Sequence, residues 1–161
     1  MEEKKIIGYG DKMIKIIDIS IRDNAKDVLN VQIPSYKVEA EIIGSDEIPP
    51  LKDTVKTLQE CEEIFFGYYE EEELCGAISL KVEDIVVDIH RLIVHPTHFR
   101  KGIAQKLLNF VTRYFEAEKI KVATGSKNTP AVSFYKKNDF EIINETTVND
   151  NISLTFFEKK L

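Results

Sequence analysis

The sequence predicts a mixed α/β domain, a mostly antiparallel central sheet of six or seven strands flanked by about four helices. Three observations predict it. Runs of β type come in adjacent groups, Ile64 to Tyr69, Leu74 to Val82 and Ile85 to Val94, separated only by turn-length polar segments. One helical period stands out, with Ile103, Ala104, Leu107, Leu108, Val111, Tyr114 and Phe115 recurring three and four residues apart. A strand, Ile120 to Thr124, follows that helix, and a strand–helix–strand unit places a parallel pair inside the otherwise antiparallel sheet.

The elements follow in order. Met13-Ile14-Lys15-Ile16-Ile17 alternates as a first strand, so residues 1–12 read as a flexible leader and 13–161 as a single domain. Arg22 to Val31 reads as a helix that Pro34 interrupts, and a second short helix covers Ser35 to Ile43. Gly44 to Pro50 is a loop by its Gly, Ser and Pro-Pro content, and Leu51 to Cys61 is a weaker helix. Glu70-Glu71-Glu72-Glu73 joins two strands and reads as a solvated hairpin tip. The strongest helix spans Gly102 to Glu118, with Gln105, Lys106, Asn109, Thr112, Arg113 and Glu116 on its polar face. Asn128 caps a helix running to about Lys137, with Pro130 in its first turn. Glu141 to Val148 and Ile152 to Glu158 form a terminal hairpin around Asn149-Asp150-Asn151. Such a hairpin can pair between subunits, which makes a homodimer an expectation.

Composition narrows the class. With a net charge of -6 and 43% hydrophobic residues, the chain reads as a globular protein and not as a nucleic-acid binder, which would usually be basic. No run is long and apolar enough to span a membrane. Cys61 and Cys75 make no disulfide framework and read as reduced thiols, so a cytoplasmic location is expected. No metal is expected either: the spacing of His90, His95 and His98 fits no structural zinc pattern, with no cysteine or carboxylate completing the set.

The most informative segment is His95-Pro96-Thr97-His98-Phe99-Arg100-Lys101-Gly102-Ile103-Ala104, which joins a strand to the strongest helix. The first N–H groups of a helix lack internal partners, and the helix dipole favours an anion there. Arg100 and Lys101 add positive charge, and Gly102 removes the Cβ that would block a phosphate. Downstream come Asn128-Thr129-Pro130-Ala131 and then Phe134-Tyr135-Lys136-Lys137-Asn138-Asp139-Phe140. Together with Leu92-Ile93-Val94-His95-Pro96, these pieces in this order resemble the GNAT superfamily of acetyl-CoA-dependent N-acetyltransferases. The match covers roughly Ile64 to Phe140, and the element order extends it over nearly the whole chain. Phe99 stands where the family usually has Arg or Gln, and Asp139 where it usually has Gly; Asp can adopt the left-handed conformation that glycine takes there.

The resemblance implies a small acetyltransferase with acetyl-CoA as co-substrate and a small-molecule or peptide amine as acceptor. The amine would attack directly in a ternary complex. It implies that Leu92, Ile93 and Val94 pair with the pantetheine arm, and that Arg100, Lys101, Gly102, Ile103 and Ala104 hold the pyrophosphate. Asn128 and Tyr135 complete the implied cofactor contacts. Tyr135 matches the tyrosine that protonates the departing thiolate, although its spacing also fits a core tyrosine. Asp88 resembles the strand glutamate that serves as base, and simple alternation puts it on one face with His90, Leu92 and Val94. His90, with an ordinary pKa of about 6.5, and a water relay are the other candidates for the base. Substrate choice falls to roughly Arg22 to Pro50 and the Asn149 turn, where Glu39, Glu41, Asp46 and Glu47 either face a cationic amine or are simply exposed. The alternative function is a non-catalytic acyl-CoA-binding module that regulates a partner.

Overall fold

The structure, a computed structural model, describes residues 13–161. Its strands are β1 (Ile14–Ile17), β2 (Ile64–Glu70), β3 (Glu73–Glu83), β4 (Val86–Val94), β5 (Lys119–Gly125), β6 (Glu141–Asn149) and β7 (Ile152–Lys160). They form one seven-stranded sheet in the order β1-β2-β3-β4-β5-β7-β6. Among the described residues only β4 and β5 run parallel; every other neighbouring pair is antiparallel. The helices are α1 (Arg22–Ile43), α2 (Val55–Glu60), α3 (Ile103–Tyr114) and α4 (Thr129–Lys137). The expected leader, residues 1–12, lies outside the described residues.

The two sheet faces carry separate cores. Val87 and Ile89 of β4, Ile120 and Val122 of β5 and Phe157 of β7 pack with Leu107, Leu108 and Val111 of α3 and with Tyr135 of α4. On the opposite face Phe65, Ala77 and Ile93 meet Val28 and Val31 of α1 and Leu58 of α2. These alternations, apolar to both sides of the central strands, are what a sheet covered by helices on both faces requires. At the outer end β6 is exposed at every residue, including Ile142, Ile143 and Val148, so among the described residues the sheet ends on an unpaired edge.

Two expectations about helices are corrected. Pro34 does not divide the first helical region: α1 is a single 22-residue helix with Pro34 inside it. A proline costs a hydrogen bond and crowds the preceding turn. Here Val28 and Val31 before the proline and Ala40 and Ile43 after it are all buried, in two clusters that Tyr36 touches in common, and burial on both sides outweighs the local penalty. The helix over Leu51 to Cys61 is instead a 3-10 turn at Pro49–Lys52 followed by the six-residue α2. Thr54 and Thr57 form a reciprocal capping box that fixes where α2 begins. The strongest helix is also shorter than its periodicity, ending at Tyr114, because Phe115 turns to extended backbone and joins the core.

Candidate active site

The site begins where β4 and β5 part. Their parallel register runs from Val86↔Lys119 to Ile89↔Val122 and stops there. Beyond it, His90 to Val94 and Ala123 to Gly125 diverge, leaving one edge of β4 without a strand partner among the described residues. His95 N–H donates to Cys75 O at 2.9 Å, which makes that couple a hydrogen-bonded pair of the β3–β4 ladder. Antiparallel pairs alternate, so Ile93 and Arg91 also spend their backbone groups on β3, while those of Leu92 and Val94 point to the open edge. The strand-like pairing implied for Leu92, Ile93 and Val94 therefore has Leu92 and Val94 available. Ile93 is engaged with β3, and its side chain is buried on the α1 face.

A bulge sits in the middle of this strand. Leu80 pairs with Ile89 and Ser79 with Arg91, so His90 is an extra residue. The bulge resets the alternation. Val87 and Ile89 face the α3 side, as Leu92 and Val94 do, whereas Arg91 and Ile93 face the α1 side. Asp88 therefore does not share a face with Leu92 and Val94, and the simple alternation expected from the sequence is corrected. The Asp88 side chain is 45% exposed, with Oδ2 3.5 Å from His90 Nε2. Both line a shallow cleft of about 330 Å³ with Lys121, Ala123, Ile143 and Phe156.

At the other end of the opening lies the loop before α3. Arg100 and Gly102 both take left-handed backbone, with φ of 66° and 76°, and Gly102 is the N-cap of α3 with no side-chain cap. Among the described residues the N–H groups of Gly102, Ile103, Ala104 and Gln105 donate to no acceptor, and a Cβ built on Gly102 meets open space. Those features fit a bound diphosphate: free amides, an N-terminal helix dipole and room at the backbone. Gly76 holds the loop in place. A Cβ there would lie 2.9 Å from Ile103 Cγ2 and 2.9 Å from Ile93 O, so only glycine lets α3 start this close to β3. The Lys101 side chain turns onto Glu70 and His98, and Lys106 lies over the Tyr68 ring.

Tyr135 occupies the middle. It is 5% exposed and packed against Phe134, Phe140 and Phe157. Burial pushes its phenol above the ordinary tyrosine value, and the nearby Tyr36 and Glu39 push it further, so it keeps its proton. The helix that carries it is anchored twice. Asn128, 8% exposed, accepts from Ala131 N–H at its start. At its end the Asn138 amide exchanges hydrogen bonds with Gln105 of α3, at 2.7 and 3.1 Å, which takes Gln105 out of the solvent face expected for it. Asp139 does adopt the left-handed conformation, with φ of 69°.

Sequence reasoning did not single out Tyr36, Glu63 and Arg91, and it treated Glu39 as one surface charge among four. Glu41, Asp46 and Glu47 are exposed, but Glu39 turns inward, with its carboxylate 3.7 Å from where a Cβ on Gly125 would be. Burial raises the Glu39 carboxyl above the usual carboxylate value, and a hydrogen bond with Asn128 opposes the rise in part. Tyr36 sits one turn earlier, and burial with the Glu39 charge raises its phenol too. Beside them Arg91 bridges Glu63 and Asp53, while Glu63 also accepts from Ser79 Oγ at 2.7 Å and lies 3.1 Å from His90 Nδ1. A helical spacing of three, placing Tyr36 and Glu39 on one face, was the available signal. The helix read over Ser35 to Ile43 already contained that pair, but nothing in the sequence showed which way its face would turn.

Comparison with known proteins agrees with this arrangement. The chain is 42% identical over 146 residues to the UPF0157 protein YqkA of Bacillus subtilis (strain 168), a match covering 90% of this chain. It spans 43% of that relative's length. In fold it is similar to PaiA N-acetyltransferase from Thermoplasma acidophilum in complex with coenzyme A, with a TM-score of 0.69 at 22% identity over 92% of this chain and 99% of that one. It is also similar to the ribosomal-protein-S18-alanine N-acetyltransferase from Escherichia coli, with a TM-score of 0.74 at 11% identity over 91% and 92% of the two chains. The family model for the acetyltransferase (GNAT) family matches residues 26–140, from α1 through the end of α4 and Phe140, so the chain belongs to the GNAT family of acetyltransferases.

Proposed function

We propose that this protein moves an acetyl group from acetyl-CoA to a primary amine by direct attack in a ternary complex. The observation that carries the reading is a buried, protonated phenol, Tyr135, which feels the charge of Glu39, a carboxylate turned toward Gly125 at the end of β5. The free amides from Gly102 to Gln105 suit the diphosphate, and the open edge at Leu92 and Val94 suits the pantetheine amides. Positioning of this kind contributes on the order of 7–11 kcal/mol in the best intramolecular models.

Glu39 is the base this reading favours. Burial raises its pKa above the usual carboxylate value, which suits it to take a proton from an ammonium, and among the described residues it has no ion-pair partner to neutralise it. Glu39 takes a proton from the ammonium and passes it to solvent; the amine nitrogen then bonds to the thioester carbonyl carbon, and the tetrahedral adduct loses its second N–H proton to the freed Glu39 carboxylate as it collapses to the amide. Breakage of the C–S bond leaves a thiolate, to which Tyr135 gives its proton, and the phenol recovers one from solvent. Asp88 and His90 line the neighbouring cleft, and in this reading they help to receive the acceptor. Glu63 and Asp53 are held by Arg91, which leaves Glu39 as the unneutralised charge a cationic amine would meet.

Thiol release from acetyl-CoA across a panel of primary amines tests the proposal. The expected result is amine-dependent release, with acetylated product confirmed by mass. Tight binding of acetyl-CoA with no turnover on any amine would point to the regulatory module instead.

A further inference from the structure

We propose that Glu70, Cys75 and His98 form a binding site for a thiophilic divalent cation, with zinc as the best fit, beside the loop that opens α3. One donor atom of each lies within 4.8 Å of the other two. The chain brings them together from three segments. Glu70 closes β2, Cys75 lies near the start of β3, and His98 ends the 3-10 turn Pro96–His98. The His95 N–H bond to Cys75 O fixes that turn against β3. The sequence offers no hint of this, because each donor is more than four residues from the next.

The chemistry of the donor set chooses the cation. Sulfur, imidazole and one carboxylate suit zinc, whereas calcium and magnesium take oxygen ligands. The donors already converge on a positive charge: the Lys101 ammonium lies 2.9 Å from His98 Nδ1 and 3.4 Å from Glu70 Oε1. On the other side of the imidazole, Glu73 Oε2 lies 3.8 Å from Nε2. Nδ1 is the ring nitrogen turned to Glu70, 3.7 Å from Oε1, and is the one placed to bind metal. Cys75 is fully buried with its S–H directed at Glu73 O, 3.4 Å away. Metal–ligand bonds of 2.0–2.3 Å in a tetrahedron put donors about 3.3–3.8 Å apart, so binding needs a contraction of about 1 Å. The thiol proton leaves to solvent, and water takes the fourth position. The metal would displace Lys101 and release its ammonium toward the free amides of the loop. That last consequence rests on the function proposed above; the metal site itself does not.

Cobalt(II) is the probe, added to the untagged full chain under reducing conditions. The expected result is stoichiometric binding with a thiolate-to-cobalt charge-transfer band, bleached by equimolar zinc. Cys61→Ser should keep the band and Cys75→Ser should lose it. Because Cys75 is a core residue, His98→Gln is the independent variant. It should weaken cobalt binding about tenfold or more while leaving the metal-free circular dichroism unchanged. Lys101→Met should tighten cobalt binding by removing the competing ammonium. Absence of the charge-transfer band at millimolar cobalt, or a His98→Gln protein with unchanged cobalt affinity, overturns the site whether or not the chain acetylates amines.

Discussion

Glu39 is costly where it sits. A half-buried carboxylate with a raised pKa favours the native state when protonated. Its contribution to stability is therefore present below the ordinary carboxylate pKa, about 4.3, and is lost as pH rises through the higher native value. Glu39→Gln should thus raise the thermal midpoint at neutral pH relative to its effect at pH 4, while abolishing most amine-dependent turnover. A variant that is both less stable and fully active would remove Glu39 from the reaction. The same group predicts that kcat/KM falls as pH drops through its native pKa, since only the carboxylate accepts a proton. Tyr135→Phe keeps the ring that packs on Phe140 and Phe157 and deletes only the hydroxyl. It should lower kcat about 10²- to 10⁴-fold with little change in acetyl-CoA affinity by calorimetry. Equal loss in both would assign Tyr135 to binding.

At the scale of elements, two glycines separate the fold of the loop from its use. Gly76→Ala forces a methyl against Ile103 and the Ile93 carbonyl, both at 2.9 Å. It should cost about 1–3 kcal/mol in urea unfolding and weaken acetyl-CoA binding, because α3 must shift. Gly102→Ala meets no protein atom and should cost only about 1–2 kcal/mol for its left-handed backbone. Its loss of acetyl-CoA affinity should be the larger effect, since the methyl projects into the space the diphosphate needs. If calorimetry finds normal affinity in Gly102→Ala, the loop does not hold the phosphates. The bulge at His90 is the other decision made at this scale. One extra residue turns Asp88 away from Leu92 and Val94 and carries Arg91 to the α1 face.

Across the whole molecule, Arg91 ties together parts that are distant in sequence. Its guanidinium reaches Asp53 before α2 and Glu63 before β2, and it lies over the Phe65 ring. Arg91 and Glu63 are 10% and 7% exposed, so removing one partner leaves a nearly buried charge. Glu63→Ala should lower stability by about 3–5 kcal/mol in urea unfolding. It should also loosen His90, whose Nδ1 faces Glu63. Gln32 joins this region from α1 by donating to Asp53 Oδ2 at 2.8 Å and to Pro50 O at 3.0 Å, which sets the first helix against the segment before α2. The network thereby fixes the distance between Tyr36 and Glu39 on α1 and the open edge of β4.

What the sequence determined by itself were the local features: strand groups by alternation, α3 by its apolar period, the loop by Arg100, Lys101 and Gly102, and α4 by Asn128 and Pro130. Each follows from interactions within a few residues, which is the range over which backbone geometry and side-chain period act. Only the tertiary structure decided that α1 runs through Pro34, because burial on both sides of the proline outweighs a local penalty. It alone decided that Glu39 turns inward toward Gly125 and that Glu70, Cys75 and His98 converge, since these placements join elements far apart along the chain. Such proximity depends on sheet register and helix placement, and a single bulge is enough to redirect every side chain after it.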